Sequence, residues 1–250
     1  MKSLHFKLFT CVVGLVVMTT GCGDAEPAAP EPEKHVLQQA PEDLLAGVSR
    51  AICYSGFRKG QHPDRGEGAV NPGEEEVLED LQILSRDGNF GLIRLYDSQV
   101  NSEVVLRLIK EHDLDLKVLL GAWLDAEVNN PGCPWQTEPY PDEKLAENKV
   151  KNTEEIERAI RLANLYPDIV VAVAVGNEAL VEWNDHMVPV ERVIEYVGKV
   201  KDSIEQPVTV ADNYDWWAKH GEALAAELDF VSVHIYPVWE GKTIDEGLSY

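Results

Sequence analysis

The chain has 250 residues and is strongly acidic, with 22 lysine and arginine residues against 44 aspartate and glutamate residues and a formal net charge of −22 at pH 7. Nucleic acids and anionic membrane surfaces are bound through a positive patch, so this balance excludes both as expected partners. A neutral polysaccharide meets no such repulsion.

The N-terminal segment predicts export. Two lysines precede the apolar run Leu8–Met18, whose length fits the hydrophobic region of a signal peptide rather than a membrane span. The run leads into Thr19-Thr20-Gly21-Cys22, which resembles a bacterial lipobox. We expect residues 1–21 to be a lipoprotein-type signal peptide and Cys22 to carry a lipid, with contact to a membrane only through that lipid. Plain secretion and an uncleaved anchor are the alternatives.

Residues 22–46 predict a tether. Proline, alanine and glutamate dominate this segment, as in Glu26-Pro27-Ala28-Ala29-Pro30-Glu31-Pro32-Glu33, and its apolar content is too low to form a core. A disordered tail without a spacing role fits the same composition. Residues 47–250 remain as one globular domain, long enough to bury a sizeable core.

Six short apolar runs alternate with amphipathic helical patterns in this domain, which is typical of βα units around a parallel sheet. The fourth run is apolar at every position, so both of its faces should be covered. The six predicted strands are Val48–Tyr54, Gly91–Tyr96, Leu116–Gly121, Ile169–Val175, Pro207–Ala211 and Phe230–Tyr236.

The intervening patterns predict helices. One follows Asn71-Pro72-Gly73, and another follows the fourth strand from Val190. Ser102 and Thr153 are the expected N-caps of two more, with the carboxylates of Glu154 and Glu155 in the first turn after Thr153. The order predicts an α/β fold, a (β/α)8 TIM barrel with only about six of its eight βα units in this chain.

The domain has two cysteines, Cys53 and Cys133, and neither lies in a metal-type spacing. A disulfide between them and a buried free thiol at Cys53 are both compatible with the sequence. We expect no metal and no cofactor.

Polar and aromatic residues follow the strands, at the edge where parallel α/β folds place their functional groups. A sugar ring stacks its C–H face on an aromatic ring and needs fixed polar partners for its hydroxyls, although strand-end aromatics also pack simply under loops. The candidate substrate-binding residues are Tyr54, Phe57, Arg94, Tyr96, Asp97, Trp123, Asp212, Asn213, Tyr214, His234, Trp239 and Glu240.

Glu178 is the strongest candidate for chemistry, because it follows the fourth strand directly. Partial burial and a neighbouring anion at the barrel mouth would raise its pKa toward use as a general acid, while a solvated loop charge is the plainer alternative. Asn177 can donate an amide hydrogen to a sugar hydroxyl, and Gly176 lets the backbone turn without strain.

The tetrapeptide Val175-Gly176-Asn177-Glu178 resembles the acid/base motif at the end of the fourth strand in clan A glycosidases. Its surroundings resemble glycoside hydrolase family 17, the β-1,3-glucanases and related glucan transglycosylases, from about Val48 to Tyr250. The blocks that carry this resemblance are Tyr54–Gln61, Ile93–Asp97, Lys117–Leu124 and Val233–Glu240.

The resemblance implies a retaining, two-carboxylate hydrolysis of β-1,3-linked glucan, polysaccharide or oligosaccharide. We expect the protein to be a monomer. Glu178 would be the general acid/base, Asn177 would bind the sugar 2-hydroxyl, and Tyr236 would orient the nucleophile. The family's nucleophile ends the seventh strand in a stretch resembling E-x-G-W, which does not occur before Tyr250. We therefore expect a fragment whose nucleophile lies beyond residue 250, unable to complete the reaction alone, with Glu240 binding substrate.

Three alternatives remain open at this point. A glucan transglycosylase would use the same residues. A non-catalytic glucan-binding lipoprotein would suit a tethered, aromatic-rich domain. A metal-dependent hydrolase would use His234, Asp212 and Glu178, but no second histidine at ligand spacing supports it.

Overall fold

The computed structural model describes residues 50–64, 67–243 and 245–247, all of which belong to one compact unit. The predicted signal peptide, the lipid site at Cys22 and the tether lie outside the described residues. None of the helices among the described residues is both long and apolar enough to cross a bilayer.

The described residues form a six-stranded parallel sheet whose spatial order is the same as the order along the chain. Each strand therefore pairs with the next in sequence, as in a barrel wall, and the predicted partial (β/α) barrel is confirmed. All six predicted strands are present, although β1, β2 and β6 are shorter than expected. The strands are β1 Ala51–Cys53, β2 Leu92–Arg94, β3 Lys117–Ala122, β4 Val170–Asn177, β5 Val208–Asn213 and β6 Ser232–His234.

Helices connect the strands. Two short helices after β5 were not predicted, because their few apolar positions leave no clear stripe. The helices are α1 Glu74–Gln82, which continues as a π-helical turn at Ile83–Asp87, α2 Val100–Glu111, α3 Asp142–Leu165, α4 Val190–Lys201, α5 Tyr214–His220 and α6 Glu222–Ala225.

Both predicted N-caps are wrong. α2 begins at Val100, and Ser102 lies buried in its first turn, where its hydroxyl donates to Asp97 Oδ1 at 2.8 Å. α3 begins at Asp142, and Thr153 lies in its middle, where its hydroxyl donates to the Lys149 carbonyl at 2.9 Å. A hydroxyl that bonds a carbonyl one turn earlier fits within a helix, so it does not mark a helix start.

The core lies between the sheet and the helices. β4 is buried along Val170–Val175, as its continuous apolar sequence predicts. β1 lies at one edge of the sheet and all three of its residues are exposed. Of the two alternatives that the sequence left open, neither is found, because the Cys53 thiol is exposed and Cys53 and Cys133 are both free.

Candidate active site

The centre of the site is a chain of hydrogen bonds among residues at the carboxyl ends of β2, β4 and β6. Arg94 Nη2 donates to Asn177 Oδ1 at 2.7 Å, and Arg94 Nη1 lies 2.9 Å from His234 Nε2. His234 Nδ1 lies 2.9 Å from Glu178 Oε1. Alternate strands of a (β/α) barrel supply side chains to the same interior layer, so strands two, four and six meet here.

The tautomer of His234 follows from its partners. A guanidinium has only donors, so the Nε2 atom of His234 must accept from Arg94. The ring hydrogen is then on Nδ1, which donates to the carboxylate of Glu178. Arg94 thus also acts on Glu178 through His234, by fixing which histidine nitrogen carries the proton.

The pKa of Glu178 is lowered, in the direction opposite to the one expected. The hydrogen bond from His234 is the largest cause that lowers it, and the electrostatic effects of His234, His186 and Arg94 act in the same sense. Burial opposes them, but the carboxyl side chain is still 28% exposed, so its desolvation is incomplete. The hydrogen bond and the electrostatic effects of these residues therefore lower the pKa of Glu178 by more than burial raises it.

The backbone at Glu178 turns sharply. Gly176 has φ +81°, as its predicted role at the turn requires, and Glu178 itself has φ +50°. A non-glycine residue in this left-handed region costs on the order of 1–3 kcal/mol and concentrates at functional sites. The pairing of β4 with β5 also shifts between Ala174 and Asn177, which frees the strand end to bend.

Hydrogen bonds hold the turn in place. The Glu178 N–H donates to the Ala211 carbonyl at 2.9 Å, and the Glu178 carbonyl accepts from Asn184 Nδ2. Two residues after Glu178, Leu180 is held by Asp212, whose Oδ2 accepts the Leu180 N–H at 3.0 Å.

Asp212 and Asn213 therefore support the site rather than line it. Asp212 is completely buried, and its two oxygens accept the Leu180 and Asn213 N–H groups. Burial raises its pKa to about 6. Asn213 Oδ1 caps α5 by accepting from the Asp215 N–H at 2.9 Å, and Tyr214 is the first residue of that helix.

Two other predicted binding residues are engaged elsewhere. Tyr54 is buried, and its hydroxyl donates to Asp80 Oδ2 in α1 at 3.1 Å. Burial, followed by the negative charge of Asp80, raises the Tyr54 pKa far above its usual range. Asp97 accepts from Ser102 and from the Gln99 N–H, so it orders the start of α2.

Several predicted residues do surround the central chain of hydrogen bonds. The Arg94 guanidinium lies 4.9 Å from the centroid of the Tyr96 ring, and burial above all raises the Tyr96 pKa to about 12. The Tyr236 ring lies 5.9 Å from the His234 ring. Burial raises the Tyr236 pKa, and the negative charge of Glu178 adds to the shift.

The remaining candidates lie in loops. Phe57 is partly exposed in the loop after β1, and Glu240 is exposed in the turn after β6. Trp239 is 86% exposed, so an aromatic face is available there to a ligand.

Trp123 follows β3 and stacks on a residue that the sequence did not single out. The ring of His186 lies 4.6 Å from the indole centroid at an interplanar angle of 29°. The Trp123 Nε1 atom donates to Asp125 Oδ1 at 3.2 Å. No spacing pattern marks His186, which lies in the irregular loop between β4 and α4.

A buried carboxylate beneath the loops was also missed. Glu155 of α3 accepts the Ser98 N–H at 2.5 Å and the Trp123 N–H at 3.2 Å, and Arg158 donates to it at 2.7 Å. Burial raises its pKa, against the effect of these donors. Glu155 thus ties the ends of β2 and β3 to one helix.

The alternative metal site lacks a free histidine nitrogen, because both nitrogens of His234 are already bonded to Arg94 and Glu178. Across the described part of the chain, no three histidine, cysteine or acidic side chains are grouped so that they could hold a metal ion.

Comparison with known proteins points to carbohydrate-active enzymes. The family model of the BtgE/BtgC glycoside hydrolase domain matches residues 51–249. A probable glucan endo-1,3-beta-glucosidase btgC of Aspergillus clavatus is 25% identical over 189 residues. That alignment covers 72% of this chain but only 24% of the fungal protein, so the chain spans about a quarter of the length of this curated relative.

Solved structures support the fold. A glycoside hydrolase family 17 beta-1,3-glucanosyltransferase from Rhizomucor miehei matches with a TM-score of 0.53 at 22% identity, over 80% of this chain and 62% of that one. An active-site mutant of a beta-1,3-glucanosyltransferase from the same organism, in complex with laminaritriose, matches with a TM-score of 0.54 and the same identity and coverage. A GH2 beta-galacturonidase from Eisenbergiella tayi matches at 15% identity with a TM-score of 0.52, over 80% of this chain and 31% of that one.

Proposed function

Because the chain belongs to the BtgE/BtgC glycoside hydrolase domain family, we propose that it is a retaining glycoside hydrolase of β-1,3-linked glucan with Glu178 as general acid/base. The observation that carries this proposal is the position of Glu178 at the carboxyl end of β4, in a left-handed turn and hydrogen-bonded to His234. The glucan specificity follows the fungal glucosidase, whose name states that activity.

In the proposed reaction, protonated Glu178 gives its proton to the glycosidic oxygen while a second carboxylate attacks the anomeric carbon. Glu178 then takes a proton from the incoming water, and the configuration at the anomeric carbon is retained. Asn177 offers its amide N–H to the sugar 2-hydroxyl, because its Oδ1 is already taken by Arg94. Tyr236 orients the second carboxylate.

The second carboxylate is proposed to lie outside the described residues. Asp212 lies on β5, the strand next to β4, which Glu178 follows. It is fully buried, however, and both of its carboxylate oxygens accept backbone N–H groups. It therefore cannot reach an anomeric carbon. Glu240 is assigned to substrate binding, together with the exposed ring of Trp239.

Transfer to an acceptor sugar is the second candidate, since water and a sugar hydroxyl can be activated by the same Glu178. Both Rhizomucor miehei neighbours are named as glucanosyltransferases, which favours testing transfer directly. We further propose that the protein is exported as a monomer and anchored through a lipid at Cys22. The acidic charge of the chain supports a neutral glucan rather than a polyanion as its partner.

The test uses the protein extended past Tyr250, so that the proposed second carboxylate is included, and compares the wild-type sequence with Glu178→Gln and a matched control, Glu182→Gln, on a β-1,3-glucan. Glu182 is exposed in the same loop, so its variant should keep full activity. General acid/base groups contribute about 10²–10⁴-fold, and we expect Glu178→Gln to lose that much while still binding laminaritriose. Proton NMR of early products should show the β-anomer, and added oligosaccharide acceptor separates transfer from hydrolysis.

Full activity in Glu178→Gln would sink the assignment. If the protein extended past Tyr250 is folded and binds laminaritriose but does not cleave it, a glucan-binding role without catalysis is favoured instead.

A further inference from the structure

His186 contacts two parts of the site at once. Its Nε2 atom lies 3.0 Å from the Asn177 carbonyl oxygen, and its Nδ1 atom lies 3.0 Å from Asp185 Oδ1. A carbonyl oxygen only accepts, so the Nε2 atom carries the hydrogen in this contact. The carboxylate oxygen of Asp185 also only accepts, so the Nδ1 atom of His186 donates in its own contact, and His186 and His234 both contact the Asn177-Glu178 pair.

The ring of His186 also stacks on the indole of Trp123, with the centroids 4.6 Å apart. Trp123 lies just after β3, where its N–H is held by Glu155 and its Nε1 atom is held by Asp125. The stack therefore joins the end of β3 to the end of β4 through one side chain.

The carbonyl that His186 binds belongs to the peptide that links Asn177 to Glu178. The N–H of the same peptide donates to the Ala211 carbonyl at 2.9 Å. This peptide plane is therefore held at both ends. Because its orientation sets the φ angle of Glu178, the contact with His186 helps to keep that residue at φ +50°.

We propose that His186 is a positioning residue, whose Nε2–H fixes the peptide that carries Glu178 and whose ring fixes the Trp123 indole against which a sugar packs. The inference rests on the proposed function, since it takes Glu178 as the acid/base and Trp123 as a binding surface. The two roles belong to different parts of the side chain, so two substitutions separate them.

The variants are made in the protein extended past Tyr250, so that turnover can be measured. His186→Phe keeps a ring for Trp123 but loses the donor to Asn177. A displacement of a reacting group by about 1 Å can cost on the order of 10²-fold, and we expect kcat to fall by about that factor with little change in KM. His186→Gln keeps an N–H donor but loses the ring. Here KM and the laminaritriose Kd should rise by up to about tenfold, with kcat nearly unchanged.

His112→Phe is the control, because His112 is exposed at the end of α2. A readout independent of turnover is the ring N–H resonance of His186, which should exchange slowly in the wild-type protein. The proposal is overturned if both variants match the control in kcat, KM and Kd, or if both lose kcat and affinity equally together with a lower Tm. Should Glu178→Gln keep full activity, the proposed function fails, while the laminaritriose Kd and the ring resonance still decide whether His186 holds Asn177 and Trp123.

Discussion

His234 donates a hydrogen bond to the carboxylate of Glu178 over a distance of 2.9 Å, and it does so because its other ring nitrogen accepts from Arg94. The carboxylate is thereby stabilised in its charged form, and its pKa is lowered. In the free protein Glu178 is thus ready to receive a proton. A general acid needs that proton before the first step, so a second carboxylate or bound substrate has to raise the Glu178 pKa during the reaction.

Replacing His234 tests this relationship. In His234→Phe the ring volume remains but the donor is lost, so we expect the pKa of Glu178 to rise, since burial still acts on it. The carboxyl ¹³C shift of Glu178, assigned by comparison with Glu178→Gln, reports this titration directly. A hydrogen bond to a charged group contributes about 1.5–3 kcal/mol, and the free energy of unfolding should fall by about that amount at neutral pH.

The sign of the pH dependence follows from the lowered pKa of Glu178. The charged Glu178 carboxylate contributes to the free energy of unfolding above its ordinary pKa of 4.5, and this contribution is lost as the pH falls through its lower pKa in the folded state. The stability difference between wild type and His234→Phe should therefore shrink in acid. His112→Phe, at an exposed position, should show no such change. An unchanged Glu178 titration in His234→Phe would contradict the role assigned to the hydrogen bond.

The strands were predictable because their signal is local. β4 is buried on both faces, and its sequence is apolar without interruption, so a single pattern predicted both its position and its coverage. Helix starts were less predictable. Thr153 has the chemistry of a cap, but α3 begins eleven residues earlier, at Asp142, where Pro141 precedes the first turn.

The site was predictable only in part, since a strand-end position does not determine where a side chain points. Glu178 and Arg94 were found from their strands, whereas Asp212 follows the same rule and is buried beneath the turn. His186 was missed because it lies in a loop, and only the folded chain brings it against Asn177 and Trp123.

Glu155 supports the loops of the site from below, and its removal should be costly. Oε1 of Glu155 accepts the backbone N–H groups of Ser98 and Trp123, and Oε2 accepts from Arg158 and Gln99. In Glu155→Gln one of these oxygens becomes an amide nitrogen, so the donors that face it lose their acceptor. Such a loss costs about 1–3 kcal/mol, and we expect the free energy of unfolding in urea to fall by that amount. Glu154→Gln is the control on the same helix, exposed to solvent, and should stay within about 0.5 kcal/mol of wild type. Equal stability of the two variants would mean that Glu155 is not needed by these loops.

Asp212 should make the protein less stable as the pH rises through the weakly acidic range. Its pKa is raised from 3.8 to about 6, mainly by burial, so between these values the folded state binds a proton that the unfolded state has released. The shift corresponds to about 3 kcal/mol, lost between about pH 4 and pH 6. The Asp212→Asn side chain cannot titrate, so the free energy of unfolding of this variant should lack this pH slope. Its absolute stability also changes, because an amide nitrogen then meets the Leu180 N–H, but that change does not depend on pH. Urea titrations of wild type, Asp212→Asn and the exposed control Asp202→Asn across this range isolate the effect. If the free energy of unfolding of the wild type instead rises with pH relative to that of Asp212→Asn, the two backbone N–H groups stabilise the charged carboxylate of Asp212 by more than burial destabilises it.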